Sequence, residues 1–445
     1  DCFLGFEFIP APMTAFAGVR TLPAGSLLLW GEGKAEIRSY WSLPEEREER
    51  SPGEWAEGLR AHLERSVRMR LESDVPLGAF LSGGIDSSTV VAMMRKATNG
   101  PIRTFALGYQ EAGFSEFEYA RAVARHFNTI HSEMTIDPIT PEVIEKAVWH
   151  LDQPFSEFSV LPYYLICRKA REHVTVCLSG EGGDEVFVGY DRFKASRIDR
   201  TLARVPRPLR QAAGALARRL PDQPQKKGAL NSLRRFFQGS SLPAGGHMRW
   251  QYFLTEETAG ELFRGRSGEE VLATTLAWAD RACEGSSLRD PLEREIVNEL
   301  RFMMPENPMM KVDKMSMANA LEIRAPLLDP ELVEFAARIP ARLKLSGWTT
   351  KAILKTAMED LLPPGIARRP KHGFSFPIKH WLRGDLFPYT EEVLQGSPFL
   401  RERFSAAAIN RLISEHRSGR RNHDHLLWSL LNLALWHRRF FGRGA

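Results

Sequence analysis

The sequence predicts an α/β protein in which helices cover a parallel sheet and a largely helical half follows. Three observations lead to this prediction. Short apolar runs alternate with amphipathic stretches between residues 54 and 178, glycine-rich segments directly follow two of those runs, and helical periodicity dominates after about residue 190. Such alternation is typical of parallel strands joined by crossover helices, which cover both faces of the sheet.

The N-terminal segment, up to residue 41, shows little helical periodicity, so we expect short strands and turns there. A charged stretch that contains proline and glycine, residues 44–53, indicates a linker after it. The expected strands are residues 3–9, 26–30 and 36–41, with a bend at residues 10–12.

The main domain opens with a helix, because Trp55, Leu59, Leu63 and Val67 recur at four-residue steps. Strand and helix patterns then alternate as far as residue 178. The apolar stretch 426–436 predicts a buried helix near the C-terminus that is too short to cross a bilayer. The expected strands are 77–81, 102–107, 129–136 and 174–178, and the expected helices are 86–96, 115–127 (with Ser115 as its N-cap), 142–151 and 161–172.

Composition narrows the class of protein. Hydrophobic residues make up 43% and charged residues 26% of the 445-residue chain, which are ordinary values for a globular protein. With no apolar stretch of spanning length and no secretory signal, we expect no membrane partner. The cysteines, at positions 2, 167, 177 and 283, form no CxxC pair and no metal pattern, which indicates a reducing, cytoplasmic compartment without structural zinc.

The net charge of +5 is mildly basic, and its densest stretch is residues 197–235. Arginines there, such as Arg200, Arg204 and Arg207, are interleaved with apolar residues at helical spacing. This pattern favours the solvated faces of amphipathic helices over a nucleic-acid site, and leaves a docking surface for an acidic partner as the alternative. We therefore expect no nucleic-acid partner.

The sharpest motif is Ser-Gly-Gly-Ile-Asp-Ser-Ser at residues 82–88, between an expected strand and an expected helix. At the carboxyl end of a parallel strand, two glycines let backbone N–H groups and the positive end of a helix approach an anion. The motif lacks the Gly-Lys-Ser/Thr ending of a Walker A loop. Asp86 beside a phosphate cradle favours Mg²⁺ between carboxylate and phosphate. The alternative is an ordinary turn with Asp86 as N-cap.

A second glycine-rich motif, Ser-Gly-Glu-Gly-Gly-Asp-Glu at residues 179–185, follows another expected strand. Glu181, Asp184 and Glu185 would repel one another without a nearby cation. If both motifs face one crevice, Asp86 and Asp184 become candidate Mg²⁺ ligands, and Glu181 a group that orients or deprotonates a nucleophile. Capping of the following helix is the alternative for at least one of these carboxylates.

Lys351 is the third candidate, because it begins the helical run 352–362. A cation at a helix N-terminus opposes the helix dipole, and an anion held between the two would remove that conflict. This placement suits a lysine that neutralises phosphate charge during phosphoryl transfer. A merely solvated lysine explains the pattern equally well.

Together these motifs resemble the asparagine synthetases of the glutamine-hydrolysing type, within the ATP-pyrophosphatase (PP-loop) superfamily. The match is carried by residues 82–88 and 179–185, by the run 313–329, by Lys351, and by the segment 373–382. It covers nearly the whole chain. The resemblance implies a PP-loop ATP-binding core built on a parallel sheet.

The resemblance also implies a reaction. Aspartate would attack the α-phosphorus of ATP to give β-aspartyl-AMP and pyrophosphate, and ammonia would then displace AMP to give asparagine, with Mg²⁺ as cofactor. Relatives that close β-lactam rings have a tyrosine in place of Glu181, which favours amide formation here. The implied residues are Asp86, Glu181 and Lys351 for catalysis, Asp86 and Asp184 for Mg²⁺, Glu185 and Arg324 for the acceptor, and Leu81, Ser82, Gly83, Gly84, Asp86, Ser87, Ser88, Leu107, Ser179, Gly180 and Lys351 for ATP.

The resemblance divides the chain unequally. Residues 1–45 are similar only to the tail of a class II glutaminase domain, and Cys2, which precedes a phenylalanine, is no glutaminase nucleophile. Ammonia would come from a glutaminase domain or subunit, or from solution, and a homodimer is compatible with the pattern. The expected subdivision of the main domain, 46–445, is an ATP-binding core at 46–195, a helical insertion at 196–300 and a helical portion at 301–445.

Three alternatives remain from the sequence. Relatives of this type also act on sugar or peptide carboxylates, and Val188 stands where they usually have glycine. A PP-loop enzyme that modifies tRNA would need a basic appendage with stacking positions, which the diffuse charge disfavours. A non-catalytic scaffold is disfavoured because Asp86, Glu181, Asp184 and Lys351 are all present.

Overall fold

The centre of the protein is a parallel sheet, seen in a computed structural model that describes residues 1–108, 117–136, 139–202, 205–217, 229–242, 246–369 and 377–442. In this part of the chain the strands are β1 (Ser26–Gly31), β2 (Lys34–Ser39), β3 (Leu77–Phe80), β4 (Arg103–Gly108), β5 (Ile130–Thr135), β6 (Val176–Leu178) and β7 (Glu322–Arg324). The central sheet has the order β5-β4-β3-β6-β7 with every pairing parallel, and β1 and β2 form a separate antiparallel hairpin.

Helices surround the sheet and make up most of the second half of the chain. Their bounds are α1 Cys2–Phe6, α2 Pro52–Met69, α3 Ile85–Ala97, α4 Phe117–His126, α5 Pro141–Leu151, α6 Val160–Arg171, α7 Gly183–Phe187, α8 Asp191–Leu202, α9 Arg207–Ala217, α10 Ala229–Ser241, α11 Glu256–Leu262, α12 Gly268–Arg281, α13 Pro291–Asn298, α14 Met310–Met317, α15 Pro330–Arg338, α16 Ala341–Lys344, α17 Ala352–Met358, α18 Ile378–Trp381, α19 Phe387–Gly396, α20 Pro398–Arg403, α21 Ala406–Arg417 and α22 Asp424–Phe441. Two π-helical turns, Glu299–Met303 and Pro305–Met309, lead from α13 into α14.

The sheet confirms the predicted α/β fold, and its first four strands lie where the sequence placed them. The helix expected from the spacing of Trp55 and its neighbours is α2, whose start is fixed by a capping box between Ser51 and Glu54. The apolar stretch near the C-terminus is the buried helix α22. Among the described residues, none of the helices combines the length and apolarity that crossing a bilayer requires.

Two expectations were wrong. Residues 3–9 were expected to form a strand, but Cys2–Phe6 is a helix whose side chains are buried against other parts of the protein. Strand β7 lies in a stretch expected to be helical, and it extends the sheet by pairing Cys177 with Ile323. Both elements are very short, so the packing around them decides their conformation.

Some expected features lie outside the described residues. They are Ser115, the proposed cap of the helix now seen from Phe117, part of the basic stretch after residue 217, and the start of the segment 373–382.

The hydrophobic core crosses the expected domain boundaries, which themselves stay predictions. Phe6 and Phe8 of the N-terminal segment belong to the same buried cluster as residues of α22, and both rings contact Phe302, at centroid distances of 5.2 and 5.4 Å. A second cluster joins the sheet to α2, α3, α15 and α17. The first eight residues are therefore part of the fold of the main domain.

Candidate active site

The two glycine-rich loops follow β3 and β6, which are neighbours in the sheet. Because carboxyl ends of parallel strands meet at one edge, the loops lie side by side. The first loop is closed by its own serines: the Ser82 backbone N–H donates to Ser87 Oγ (3.2 Å), Ser87 Oγ donates to the Gly84 carbonyl (3.2 Å), and the Gly84 N–H donates to Ser82 Oγ (3.3 Å).

Glycine is required where the loops touch. A Cβ on Gly180 would lie 2.7 Å from the backbone nitrogen of Ser87, so a side chain there would force the loops apart. Gly83 has φ +70°, in the left-handed region that other residues rarely adopt. Gly180 therefore sets the distance between the two loops, and Gly83 allows the turn of the first loop.

Lys351 joins the loops through charge. It precedes α17 in a left-handed conformation (φ +53°), and its side chain is only 3% exposed. Nζ lies 2.6 Å from Asp184 Oδ1 and also contacts Asp86 Oδ2 at short range. Burial alone would lower the pKa of Lys351, but attraction by Asp184 and Asp86 raises it above its ordinary value, so the ammonium stays charged.

A cavity of about 510 Å³ opens over this edge of the sheet. Its wall includes most of the residues that the sequence singled out, namely Leu81, Ser82, Gly84, Asp86, Ser87, Leu107, Ser179, Gly180, Glu181, Asp184 and Lys351. We call the residues of 82–88 and 179–185 that line the cavity, together with Lys351, the phosphate end of the cavity.

Four predicted site residues do not line the cavity. Gly83 lies against the backbone of Tyr119 and Ala120 in α4. The Ser88 N–H is already bonded to the Gly84 carbonyl (3.0 Å) within a buried turn. Arg324 lies on β7, where its Nη1 donates to the carbonyls of Arg70 (2.8 Å) and Glu72 (2.7 Å). Arg324 therefore lies outside the cavity, bonded to the backbone that follows α2.

Glu185, the fourth of these residues, points into the protein. It is 2% exposed and accepts a hydrogen bond from the Tyr190 hydroxyl (2.5 Å). Burial, reinforced by the charge of Asp184, raises its pKa to about 7. Glu185 thus supports the cavity wall at Tyr190 and lies outside that wall itself.

One wall of the cavity was not visible in the sequence. Asn307, on the second π-helical turn, is 2% exposed, and its Nδ2 has no hydrogen-bond partner among the described residues. One turn further on, Lys311 Nζ donates to Ser159 Oγ (2.8 Å) and lies 3.6 Å from Glu157 Oε2. Burial would lower the pKa of Lys311, but Glu157, Glu181 and Glu185 raise it. This wall offers an uncommitted amide beside a charged ammonium.

A second part of the cavity, which we call the far end, is lined by Glu7, Phe158, Arg235, Phe253 and His425. These residues come from the N-terminal segment, the loop before α6, α10, the chain before α11 and α22. No short motif contains two of them. The sequence could have predicted this end only if the N-terminal segment had been recognised as part of the core.

The chemistry of the phosphate end fits Mg²⁺. Asp86 and Asp184 converge on a single cation, the Lys351 ammonium, and both are oxygen donors of the kind that Mg²⁺ prefers. Within the described ranges, no group of three or more His, Cys, Asp or Glu side chains could hold a metal ion by itself. Two carboxylates suit an ion whose other ligands are phosphate oxygens and water.

Val188 marks a departure at the end of the second loop. Its φ of +63° lies in the left-handed region, where a β-branched side chain is strained, and its side chain is fully buried. The next residue, Gly189, lines the cavity. A glycine would adopt this conformation without strain, and burial of the valine side chain offsets part of the cost.

Comparison with known proteins gives consistent matches. The asparagine synthase family profile matches residues 58–438. A Mycobacterium tuberculosis protein, provisionally named as a glutamine-hydrolysing asparagine synthetase, is 33% identical over 98% of this chain and 66% of its own length. Asparagine synthetase [glutamine-hydrolyzing] 1 of Bacillus subtilis is 28% identical over 98% of this chain and 67% of its own length.

Two further matches have lower sequence identity and cover less of this chain. Amidase chyE of Penicillium rubens is 26% identical over 84% of this chain and 61% of its own length. The structure of an NMN synthetase from Francisella tularensis overlaps 57% of this chain at 16% identity, but its TM-score of 0.24 is too low to support an argument. The chain thus spans about two thirds of the length of these two curated asparagine synthetases.

Proposed function

The chain belongs to the asparagine synthase family, and from this premise we propose that it is an ATP-dependent ligase that forms an amide. In this reaction a carboxylate is adenylylated, pyrophosphate leaves, and ammonia displaces AMP. The observation that carries the proposal is the convergence of the two glycine-rich loops on Lys351 at one cavity.

The first step needs a site that holds the triphosphate and stabilises charge on its leaving group. We assign pyrophosphate to the first loop, where Ser82, Gly84 and Ser87 line the cavity, and the adenosine to Leu81, Leu107, Ser179 and Gly180. Asp86 and Asp184 would hold Mg²⁺, which supplies charge neutralisation at the phosphates when bound. Lys351 would move its ammonium from these carboxylates toward the charge that develops on the phosphates.

The acceptor is the carboxylate whose oxygen attacks the α-phosphorus. We propose aspartate, with Asn307 and Lys311 as the side chains that meet it, because this amide and ammonium lie in the same cavity wall region as Glu181. Glu181 would then accept the proton that the nitrogen loses after attack. A sugar or peptide carboxylate is the alternative acceptor, and the test below separates it from aspartate.

The nitrogen source is proposed to be a class II glutaminase domain or subunit. Hairpin β1–β2 is an apolar surface that such a partner would cover, since Leu28, Trp30 and Ile37 are 50, 71 and 56% exposed. Large exposed apolar patches usually mark interaction sites, and an isolated two-stranded hairpin is marginally stable alone. Ammonium in solution would replace the partner in vitro.

The decisive experiment is pyrophosphate release from Mg·ATP with ammonium, measured with and without L-aspartate. Release that depends on aspartate, with asparagine as product, is the expected result. Release only with other carboxylates, such as glutamate, succinate or a peptide, would keep the ligase and replace the acceptor. No release with any carboxylate would contradict the proposed enzyme and favour a non-catalytic scaffold.

A further inference from the structure

The far end of the cavity contains a histidine that is held on three sides. The His425 ring lies between the rings of Phe158 and Phe253, at centroid distances of 4.2 and 3.8 Å and interplanar angles of 20° and 14°. Its Nδ1 is 2.6 Å from Glu7 Oε1. The side chain is nevertheless 28% exposed, and His425 lines the cavity.

Glu7 is fixed at least as firmly. It follows α1 in a left-handed conformation (φ +71°), is 2% exposed, and its carbonyl accepts a hydrogen bond from the Ser156 N–H (3.0 Å). A carboxylate at Nδ1 favours the tautomer with its proton on that nitrogen. This leaves the lone pair on Nε2, to which the described residues offer no hydrogen bond.

The proposed reaction releases two protons, and Glu181 accounts for only one of them. Forming an amide from ammonium and an acyl-adenylate releases two protons, one when ammonium becomes ammonia and one from the nitrogen after the C–N bond forms. Glu181 can accept the second proton, because it lines the phosphate end on the second loop. The first proton must leave before attack, because ammonium has no lone pair.

We propose that His425, positioned by Glu7, is a second catalytic base that deprotonates ammonium in the cavity; this inference rests on the proposed function. The N–H bond breaks, its electron pair stays on nitrogen as ammonia, and the proton bonds to Nε2. The resulting imidazolium is stabilised by the Glu7 carboxylate and by the electron-rich faces of Phe158 and Phe253. Proton loss to water in the cavity restores the neutral ring.

The test compares two nitrogen nucleophiles in one assay. Hydroxylamine is a much weaker base than ammonia and is largely unprotonated at neutral pH, so it needs no base before attack. The variants are His425→Gln and Glu7→Gln in the full chain, with Mg·ATP and the acceptor that the wild type uses. Product formation is followed as amide with ammonium and as hydroxamate with hydroxylamine, and ATP–pyrophosphate exchange reports the first step separately.

The chain offers a matched control two residues away. His423 also pairs with a carboxylate, since its Nε2 is 2.7 Å from Glu415 Oε2, and it is similarly shielded. It does not line the cavity. His423→Gln therefore removes a comparable His–Glu pair at the start of α22 without touching the proposed base.

His425→Gln should lower the ammonium-dependent rate by about tenfold to a hundredfold and leave the hydroxylamine rate within about twofold. Glu7→Gln should show the same selectivity with a smaller loss, because it acts through His425. Exchange of pyrophosphate should be unchanged in both variants, and His423→Gln should behave as wild type. Thermal melting of each variant shows whether it is folded.

Several results would overturn the inference. Equal losses with both nucleophiles would indicate that the pair merely attaches the N-terminal segment to α22, and an unchanged ammonium rate in a folded variant would exclude the base outright. A loss confined to pyrophosphate exchange would place His425 in the first step. A wild type that turns over no carboxylate would instead refute the proposed function, and the inference with it.

Discussion

The two ends of the cavity are built in opposite ways. The phosphate end consists of two short runs of consecutive residues and one lysine, and the single ammonium of Lys351 pairs with both Asp86 and Asp184. The far end consists of single residues from five separate segments, and it holds its one His–Glu pair between aromatic rings.

This difference suits the ligands proposed for the two ends. Polyphosphate is recognised by backbone N–H groups and a helix end, which a short loop after a parallel strand supplies by itself. A small nucleophile offers only a few hydrogen bonds, so a site for it depends on the surrounding walls. Substitutions of residues that line the phosphate end should therefore abolish the reaction, whereas those elsewhere in the cavity wall should change only one substrate or one step.

Asp86→Ala should have the largest effect, because it removes a proposed Mg²⁺ ligand and one of the two partners of Lys351. We expect pyrophosphate release to fall by about a thousandfold or more, with the fold retained. The measurement is pyrophosphate release together with circular dichroism. The control is Asp360→Ala, which should be neutral. Asp360 is an exposed aspartate that pairs with Arg60 and does not line the cavity. Retained activity in Asp86→Ala would refute the Mg²⁺ assignment.

Lys351→Ala should slow adenylylation by about a hundredfold to a thousandfold while changing the Kd of ATP much less. The reason is that its ammonium is proposed to act on charge that develops during the step. Single-turnover pyrophosphate release and equilibrium ATP binding separate the two effects. Equal losses in both would make Lys351 a plain binding residue, and Lys96→Ala, at an exposed pair with Glu64, controls for loss of a lysine.

Glu185→Gln should alter stability rather than catalysis, because Glu185 faces the interior. Its pKa is raised from 4.5 to about 7, so the folded state holds a proton that the unfolded state has lost. Stability of the wild type should fall as pH rises from about 4.5 to about 7, by up to about 3 kcal/mol, and level off above that.

Urea unfolding of wild type and Glu185→Gln at pH 5 and pH 8 measures this difference. The variant should lack the decline, because glutamine does not titrate. It should stay folded, because its amide oxygen can still accept the hydrogen bond from Tyr190. Glu331→Gln, at a half-exposed carboxylate paired with Arg65, should leave the decline unchanged. A parallel loss of stability in Glu185→Gln and wild type would place the titrating group elsewhere.

Asn307→Leu should have the smallest effect and the most selective one. Losing one hydrogen bond to the acceptor should raise the KM of the acceptor about tenfold and leave the KM of ATP unchanged. Stability should stay the same or rise, because an unpartnered buried amide is removed. In Asn298→Leu, where the amide donates to the Ala279 carbonyl (2.6 Å), stability should fall and KM should not change. The opposite pattern would make Asn307 a structural residue.

Much of the fold was predictable because apolar residues recur periodically along its strands and helices. Strands β3 to β6 and the helices between them follow from apolar runs and helical periodicity, and helix α2 follows from four residues at regular spacing. The helix at Cys2–Phe6 and the three-residue strand β7 were missed, because so few residues carry no period. Their conformation depends on partners such as Tyr252 and Cys177, which are distant in sequence.

The sequence by itself determined the phosphate end, because loops that bind phosphate use neighbouring residues whose spacing is fixed by the backbone. Only the tertiary structure decided the rest of the cavity. It left Arg324 and Glu185 outside the cavity wall, placed Asn307 and Lys311 in that wall, and brought Glu7 to within 2.6 Å of His425, 418 positions along the chain. Contacts of that separation depend on how whole layers pack, and no local pattern of residues encodes them.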